Sequence, residues 1–166
     1  MKELDNELPF THVHRDRYFE DYIAGEQHIL GSAEVEEDAM VEYAKAYDPQ
    51  DIHIDHEKAQ AGVFGGVIAS GWYTGALMMK LYAKHYLSNV SSLSSPGLTD
   101  LKWLAPVRGG DSLTTRVNIL ETRRSESKPD RGIVRTLIEV LNQDDTVVMT
   151  IDAVNLIACR SPEPRQ

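Results

Sequence analysis

The chain has 166 residues with 17 Lys+Arg against 26 Asp+Glu, a net charge of −9. That length suits one domain able to bury a core without metals or disulfides, and the acid excess disfavours nucleic acid and anionic membranes as partners. The single cysteine, Cys159, excludes a disulfide within the chain and points to a reducing, cytoplasmic setting.

Residues 1–14 read as an N-terminal extension without the apolar stretch of a secretory signal. Residues 15–160 read as the domain and 161–166 as a frayed tail. Tyr18 to Gly25 and His28 to Val35 read as two short strands around a Gly25-Glu26 turn. Glu36-Glu37-Asp38 then place acid in the first turn of a helix, favourable against its dipole. Ala39, Met40, Tyr43, Ala44 and Tyr47 follow at helical spacing. Pro49 ends that helix, because the residue before a proline is pushed out of the helical region. Asp48 is therefore expected at the negative end of the dipole, where a carboxylate's pKa tends to rise.

Asp55 to Ala61 predicts a short helical turn, and Gly62, Gly65 and Gly66 a flexible connection. Ser70 is an N-cap candidate for a helix over Gly71 to Leu87. From Trp72 to Met79 that helix is apolar on every side, which predicts that other structure wraps it. The run Gly62 to Met79 carries five glycines and falls short of the ~20 apolar residues of a membrane span. Ser88 to Gly97 reads as a polar loop. Strands are expected over Leu98 to Val107, Ser112 to Ser125, Ile133 to Asn142 and Thr146 to Ala158. Alternation is clearest in Leu113, Thr115, Val117, Ile119 and in Val134, Thr136, Ile138, Val140. Two strands, a buried helix and four antiparallel strands describe an α+β domain, a sheet curled around one helix.

Asp48 and His53 stand five residues apart on a segment broken by Pro49, just before the long helix. A carboxylate and an imidazole can hold one water between acid and base, and a helix N-terminus can receive developing negative charge. Gly71 is the candidate to receive that charge. At the first helical turn its N–H has no intrahelical partner, and no side chain keeps a ligand away. Gly71 and Gly75 also fit a plainer role, letting a strand pack closely. Asp48 and His53 have plain readings too, a helix-terminal residue and a loop histidine bonded to backbone. Asp51 is expected to face solvent, Asp55 to orient the turn after it, and His56 to lie at the surface. His53, Asp55 and His56 make no persuasive metal site. Gly62-x-x-Gly65-Gly66 lacks the Lys-Ser/Thr of a P-loop, and Ser70 lacks the Gly-x-Ser-x-Gly context of a nucleophile.

Asp48 to His53, with Phe64-Gly65-Gly66 and Ile68-Ala69-Ser70-Gly71-Trp72, resembles the MaoC-like dehydratases, which include the (R)-specific enoyl-CoA hydratases. The family pattern is Asp-x-Asn-Pro-(Ile or Leu)-His. Here Pro49 comes early, Gln50 stands where Asn is usual and Asp51 replaces the later proline. Leu101-Lys102-Trp103-Leu104-Ala105-Pro106-Val107-Arg108-Gly109-Gly110-Asp111 is similar to the family's strand and turn ending in Pro-Val-x-x-Gly-Asp. The resemblance implies a hot-dog fold and a homo-oligomer, at least a dimer, with its site near the subunit interface. It implies reversible hydration of an enoyl thioester or dehydration of a 3-hydroxyacyl thioester, with Asp48 and His53 activating one water. It also implies that the Gly71 N–H binds the thioester oxygen, with Ser70 and Trp72 beside it. Coenzyme A would enter as part of the substrate, with no separate cofactor and no metal. Arg108 is the preferred candidate to meet its phosphates; Lys102, Arg123-Arg124 and Lys128 with Arg131 are others. A thioesterase of the same fold and a non-catalytic acyl-thioester-binding protein are the competing readings. The absence of an acidic residue from Gly71 to Leu87 speaks against the thioesterase, since many of those place one on the central helix.

Overall fold

The structure, a computed structural model, describes residues 16–161. The expected extension over 1–14 and all of the expected tail except Ser161 lie outside the described residues.

Polar–apolar alternation draws Gln27–Glu34 into the first strand, β1, with His28 and Leu30 turned inward. The strand expected over Tyr18–Gly25 is instead a 3-10 turn at Phe19–Asp21. Asp21 is the physical reason. Its carboxylate accepts from the Tyr18 N–H (2.9 Å) while its own N–H donates to the Tyr18 carbonyl (3.0 Å), closing a turn that competes with any sheet ladder.

Helix α1 (Glu37–Tyr47) starts on the predicted acidic turn and ends before Pro49. Two short helices follow, α2 (Asp51–Ile54) and α3 (His56–Ala61). The long helix α4 (Gly71–His85) starts where Ser70 Oγ accepts from the Trp72 N–H at 3.2 Å, the expected N-cap. The remaining strands are β2 (Ser92–Trp103), β3 (Ser112–Arg124), β4 (Arg131–Leu141) and β5 (Val147–Ala158).

These strands make one antiparallel sheet of five strands in the order β1-β3-β4-β5-β2, one strand fewer than expected. Leu113, Thr115, Val117 and Ile119 of β3 and Val134, Thr136, Ile138 and Val140 of β4 all face the core, as their alternation predicts. Burying each large aliphatic side chain contributes about 1.5–3 kcal/mol, so these strands anchor the domain. Gly31 bends β1 over α4 at a bulge. Its φ of +107° is one that residues with a Cβ rarely adopt.

Tyr73, Met78, Leu81 and Tyr82 of α4 pack into this core. The helix is not wrapped on every side, however: Trp72 is 57 % and Met79 44 % exposed. A single sheet covers one side of a helix, and nothing within the described residues covers the other. Strand β2 is equally open. It begins inside the expected loop Ser88–Gly97, with Ser95 Oγ donating to the Val154 carbonyl at 2.6 Å, and Leu93, Leu98 and Trp103 stay exposed on it. No helix among the described residues is long and apolar enough to cross a membrane.

Candidate active site

Three segments converge at the N-terminal end of α4: 48–53, 68–72 and 103–107. The first turns because Asp48 closes α1, its N–H bonding the Ala44 carbonyl (2.8 Å), before Pro49 forces the chain out and α2 restarts it. The second is tied to the first by the Ile68 N–H on the Ile52 carbonyl (3.1 Å). It is tied to the third by the Ala69 N–H on the Val107 carbonyl (2.7 Å). They enclose a cleft of about 440 Å³, whose lining includes Asp48, Gln50, His53, Gly71, Trp72 and Trp103.

His53 is 5 % exposed, and its Nδ1 lies 2.8 Å from the Ile68 carbonyl. A carbonyl only accepts, so Nδ1 carries a proton and the neutral ring keeps its lone pair on Nε2. Nε2 sits 3.4 Å from Asp48 Oδ2, longer than the roughly 2.7–3.2 Å of an ordinary N–H···O bond. The carboxylate is held from both sides. Ser70 Oγ donates to Oδ2 at 2.6 Å and Gln50 Nε2 to Oδ1 at 2.6 Å.

These bonds reverse the expected direction of the Asp48 pKa. The Ser70 hydroxyl first and then the Gln50 amide hold the carboxyl below its ordinary value against the opposing effect of burial, and the nearby His53 adds the smallest lowering. The helix dipole expected to raise it falls off within a turn and is weaker than two direct hydrogen bonds to the charged form.

Gly71 is the first residue of α4, and no acceptor takes its N–H among the described residues. A Cβ on Gly71 would overlap the Trp103 indole, so glycine is required here by close approach rather than by backbone angle. Trp72 and Trp103 meet edge to face, ring centroids 5.2 Å apart, at the mouth of the cleft. The sequence therefore brings Asp48, His53, Ser70, Gly71 and Trp72 to one place.

Arg108 is not among the residues that line the cleft. Its guanidinium donates to the carbonyls of Phe64 and Val67, holding the glycine-rich connection behind the cleft wall. Other basic candidates have acidic neighbours: Lys102 with Asp100 (3.0 Å), Arg124 with Glu20 (2.9 Å), Arg131 with Asp130 (2.8 Å). Asp51 is exposed beside Lys58, Asp55 caps α3 through the Lys58 N–H, and His56 is exposed. Gln50 and Trp103 are among the cleft residues that sequence reasoning passed over, as are Thr74 and Val148. Gln50 was visible only as a departure from the motif, and Trp103 only as one apolar residue of a strand.

The MaoC like domain model matches residues 22–141 of this chain. The chain belongs to the MaoC-like dehydratase family. A MaoC-like dehydratase from Rhodospirillum rubrum has a similar structure: TM-score 0.81, 33% identity, covering 87% of this chain and 99% of that one. Protein YdeM of Bacillus subtilis is 29% identical over 78% of this chain and 90% of its own length. The 3-hydroxyacyl-thioester dehydratase Z of Mycobacterium tuberculosis is 32% identical over 56% of this chain, a match spanning 62% of that protein. A Mycobacterium tuberculosis protein with a double hot-dog fold superposes on this MaoC-like domain with a TM-score of 0.73. The identity is 14%, over 90% of this chain and 46% of that one, a likeness of fold alone. The curled sheet around α4 is a hot-dog fold.

Proposed function

We propose that this MaoC-like protein catalyses the reversible hydration of an enoyl thioester, equivalently the dehydration of a 3-hydroxyacyl thioester, with coenzyme A as the carrier. The observation that carries this reading is a buried imidazole whose Nδ1 meets a backbone carbonyl, beside a carboxylate held by two hydrogen bonds at one end of a cleft, with a helix-terminal N–H that has no acceptor among the described residues in the same lining. Hydration requires a base for water, a proton for the α-carbon and donors for the thioester oxygen, and these groups can supply all three.

A water bound between Asp48 and His53 gives a proton to His53 Nε2 as its oxygen bonds to the β-carbon. The π electrons move toward the thioester oxygen, which the Gly71 N–H meets. The imidazolium, stabilised by the Asp48 carboxylate and by the Ile68 carbonyl on Nδ1–H, then returns the proton to the α-carbon. Dehydration is the same path reversed.

Crotonyl-CoA tests it directly: loss of enoyl absorbance without release of free thiol is the expected result. Thiol release would mean a thioesterase, and binding without either change a non-catalytic acyl-binding protein.

The protein is further proposed to act as a homodimer. Support comes from the open β2 edge and the uncovered side of α4, which a second copy would cover in one contact. Sedimentation at micromolar concentration should give twice the 18.6 kDa of one chain; the single-chain mass would overturn this.

A further inference from the structure

We propose that the indole N–H of Trp103 is the second hydrogen-bond donor to the thioester oxygen, completing with the Gly71 N–H a two-donor oxyanion site. The proposal rests on the hydration reading and adds a catalytic residue to it.

Charge that develops on one oxygen is best met by donors already fixed around it, and a single backbone N–H leaves such an oxygen half served. Trp103 lies against Gly71 closely enough that a Cβ on Gly71 would overlap its Nε1 and Cε2 atoms. A Cβ lies about 2.5 Å from its own backbone nitrogen, so Trp103 Nε1 is within about 5 Å of Gly71 N. One oxygen accepting two bonds of roughly 2.9 Å can join donors up to about 5.8 Å apart. Both residues line the same cleft, and neither N–H has an acceptor among the described residues. The indole is also held in place. Trp72 packs edge to face on it, and Trp103 pairs with Met149 at the end of β2, followed by the Leu104 N–H on the Val148 carbonyl (2.8 Å). Nε1 is one of the three indole atoms that lie nearest this glycine, with Cε2 and Cδ2. Removing the Cβ at position 71 permits that approach.

In the reaction the π electrons displaced by water collect on the thioester oxygen, where both N–H groups strengthen their bonds as the negative charge grows. The contribution therefore belongs to the transition state, and its loss should lower kcat while leaving KM nearly unchanged.

The test is Trp103→Phe, which keeps an aromatic wall and removes the donor. Crotonyl-CoA hydration should fall in kcat by about 10- to 100-fold, at or below the usual effect of one oxyanion donor because the site is part open, with KM within about two-fold. Butyryl-CoA labelled with 13C at the thioester carbonyl supplies a reading independent of turnover. Its bound resonance should move downfield on the wild-type protein and less on the variant. Wild-type kcat in Trp103→Phe, or a lower kcat with the full carbonyl shift retained, overturns the proposal in favour of a packing role. If the phenylalanine variant does not fold, benzothienylalanine at position 103, an indole shape without the N–H, decides by the same two readings. A wild-type protein that hydrates no enoyl thioester removes the parent reading as well; an active wild type with an indifferent variant removes only this one.

Discussion

The two ends of α4 solve opposite problems. At the C-terminal end, Tyr22, Tyr82 and Tyr86 are buried together. Their hydroxyls reach the Tyr86 carbonyl (2.7 Å), Asn155 Oδ1 (2.7 Å) and Thr136 Oγ1, and Arg17 donates to the carbonyls of His85 and Tyr86. Tyr82 and Tyr86 stack at 4.6 Å, with Tyr22 edge-on to Tyr86 at 5.2 Å. At the N-terminal end, the Gly71 N–H has no acceptor among the described residues, Trp72 and Trp103 are half exposed, and a cleft stays open beside the Asp48 carboxylate. One end pairs its tyrosine hydroxyls and seals them; the other keeps donors available. Satisfied buried networks make an element rigid, and unsatisfied groups in a cleft are what a substrate can use. Changes at the first end should therefore alter stability and spare catalysis, and changes at the second should act first on catalysis.

The largest effects belong to the open end. Asp48→Asn and His53→Ala should each lower hydration of crotonyl-CoA by at least about 100-fold, the low end for lost acid–base catalysis. Asp48→Asn should melt close to wild type by circular dichroism, whereas His53→Ala, which leaves the buried Ile68 carbonyl without its partner, should stay folded but melt lower. Turnover near wild type in either variant would remove the assigned roles.

The sealed end should respond in the opposite sense. Tyr86→Phe removes the buried bond to the Thr136 hydroxyl and should destabilise the fold by about 1–3 kcal/mol with kcat unchanged. Burial also pushes the Tyr22 hydroxyl up to about 12, and raises Tyr82 and Tyr86 above their ordinary value. A folded-state pKa above the unfolded one means the unfolded chain loses its protons first. The stability these groups contribute is therefore complete below about pH 10, the unfolded tyrosine value, and is lost as pH rises through about 12 for Tyr22. Urea midpoints measured across that window should fall with pH, and fall less in Tyr22→Phe.

How much of this contrast was legible in the sequence depends on how local its causes are. The alternation of Leu113 to Ile119 and Val134 to Val140 is written in adjacent residues, and so is the Ser70 cap; all three stand as expected. The Tyr18–Gly25 turn depends on where one side chain, Asp21, sends its oxygens. The start of β2 depends on β5, far along the chain, and no property of its own serines announces a ladder. Asp48 and His53 could be named from spacing. The contacts that tune them, Ser70 and Gln50 on Asp48 and Ile68 on His53, come from segments brought together only by folding. The Asp48 pKa runs against the helix dipole for that reason. The dipole's field can be read from the sequence, but the hydrogen bonds that outweigh it exist only in the folded chain.

Those bonds can be ranked. Ser70 is the larger cause of the lowered Asp48 pKa and Gln50 the smaller. A carboxyl-detected NMR titration should place the Asp48 pKa higher in Gln50→Leu than in wild type, and higher again in Ser70→Ala. The reverse order would mean that Gln50 holds the charge and Ser70 mainly caps the helix.

The smallest expected effect tests what lies behind the cleft wall. Arg108 is the cation that the family resemblance favours as a phosphate contact, yet its guanidinium is occupied by the Phe64 and Val67 carbonyls. A cation that met the phosphates of coenzyme A would add binding that salt weakens. A cation that clamps a loop would add binding through the shape of the wall, with little salt dependence. Phe64 lines the cleft, so loosening its loop should raise KM a few-fold, while kcat, set at Asp48 and His53, stays nearly unchanged. Arg108→Ala should therefore show a modest rise in KM whose salt dependence parallels that of the wild type. A flatter salt dependence in the variant would return Arg108 to the phosphate role. An unchanged KM would mean that Phe64 holds its place without the clamp.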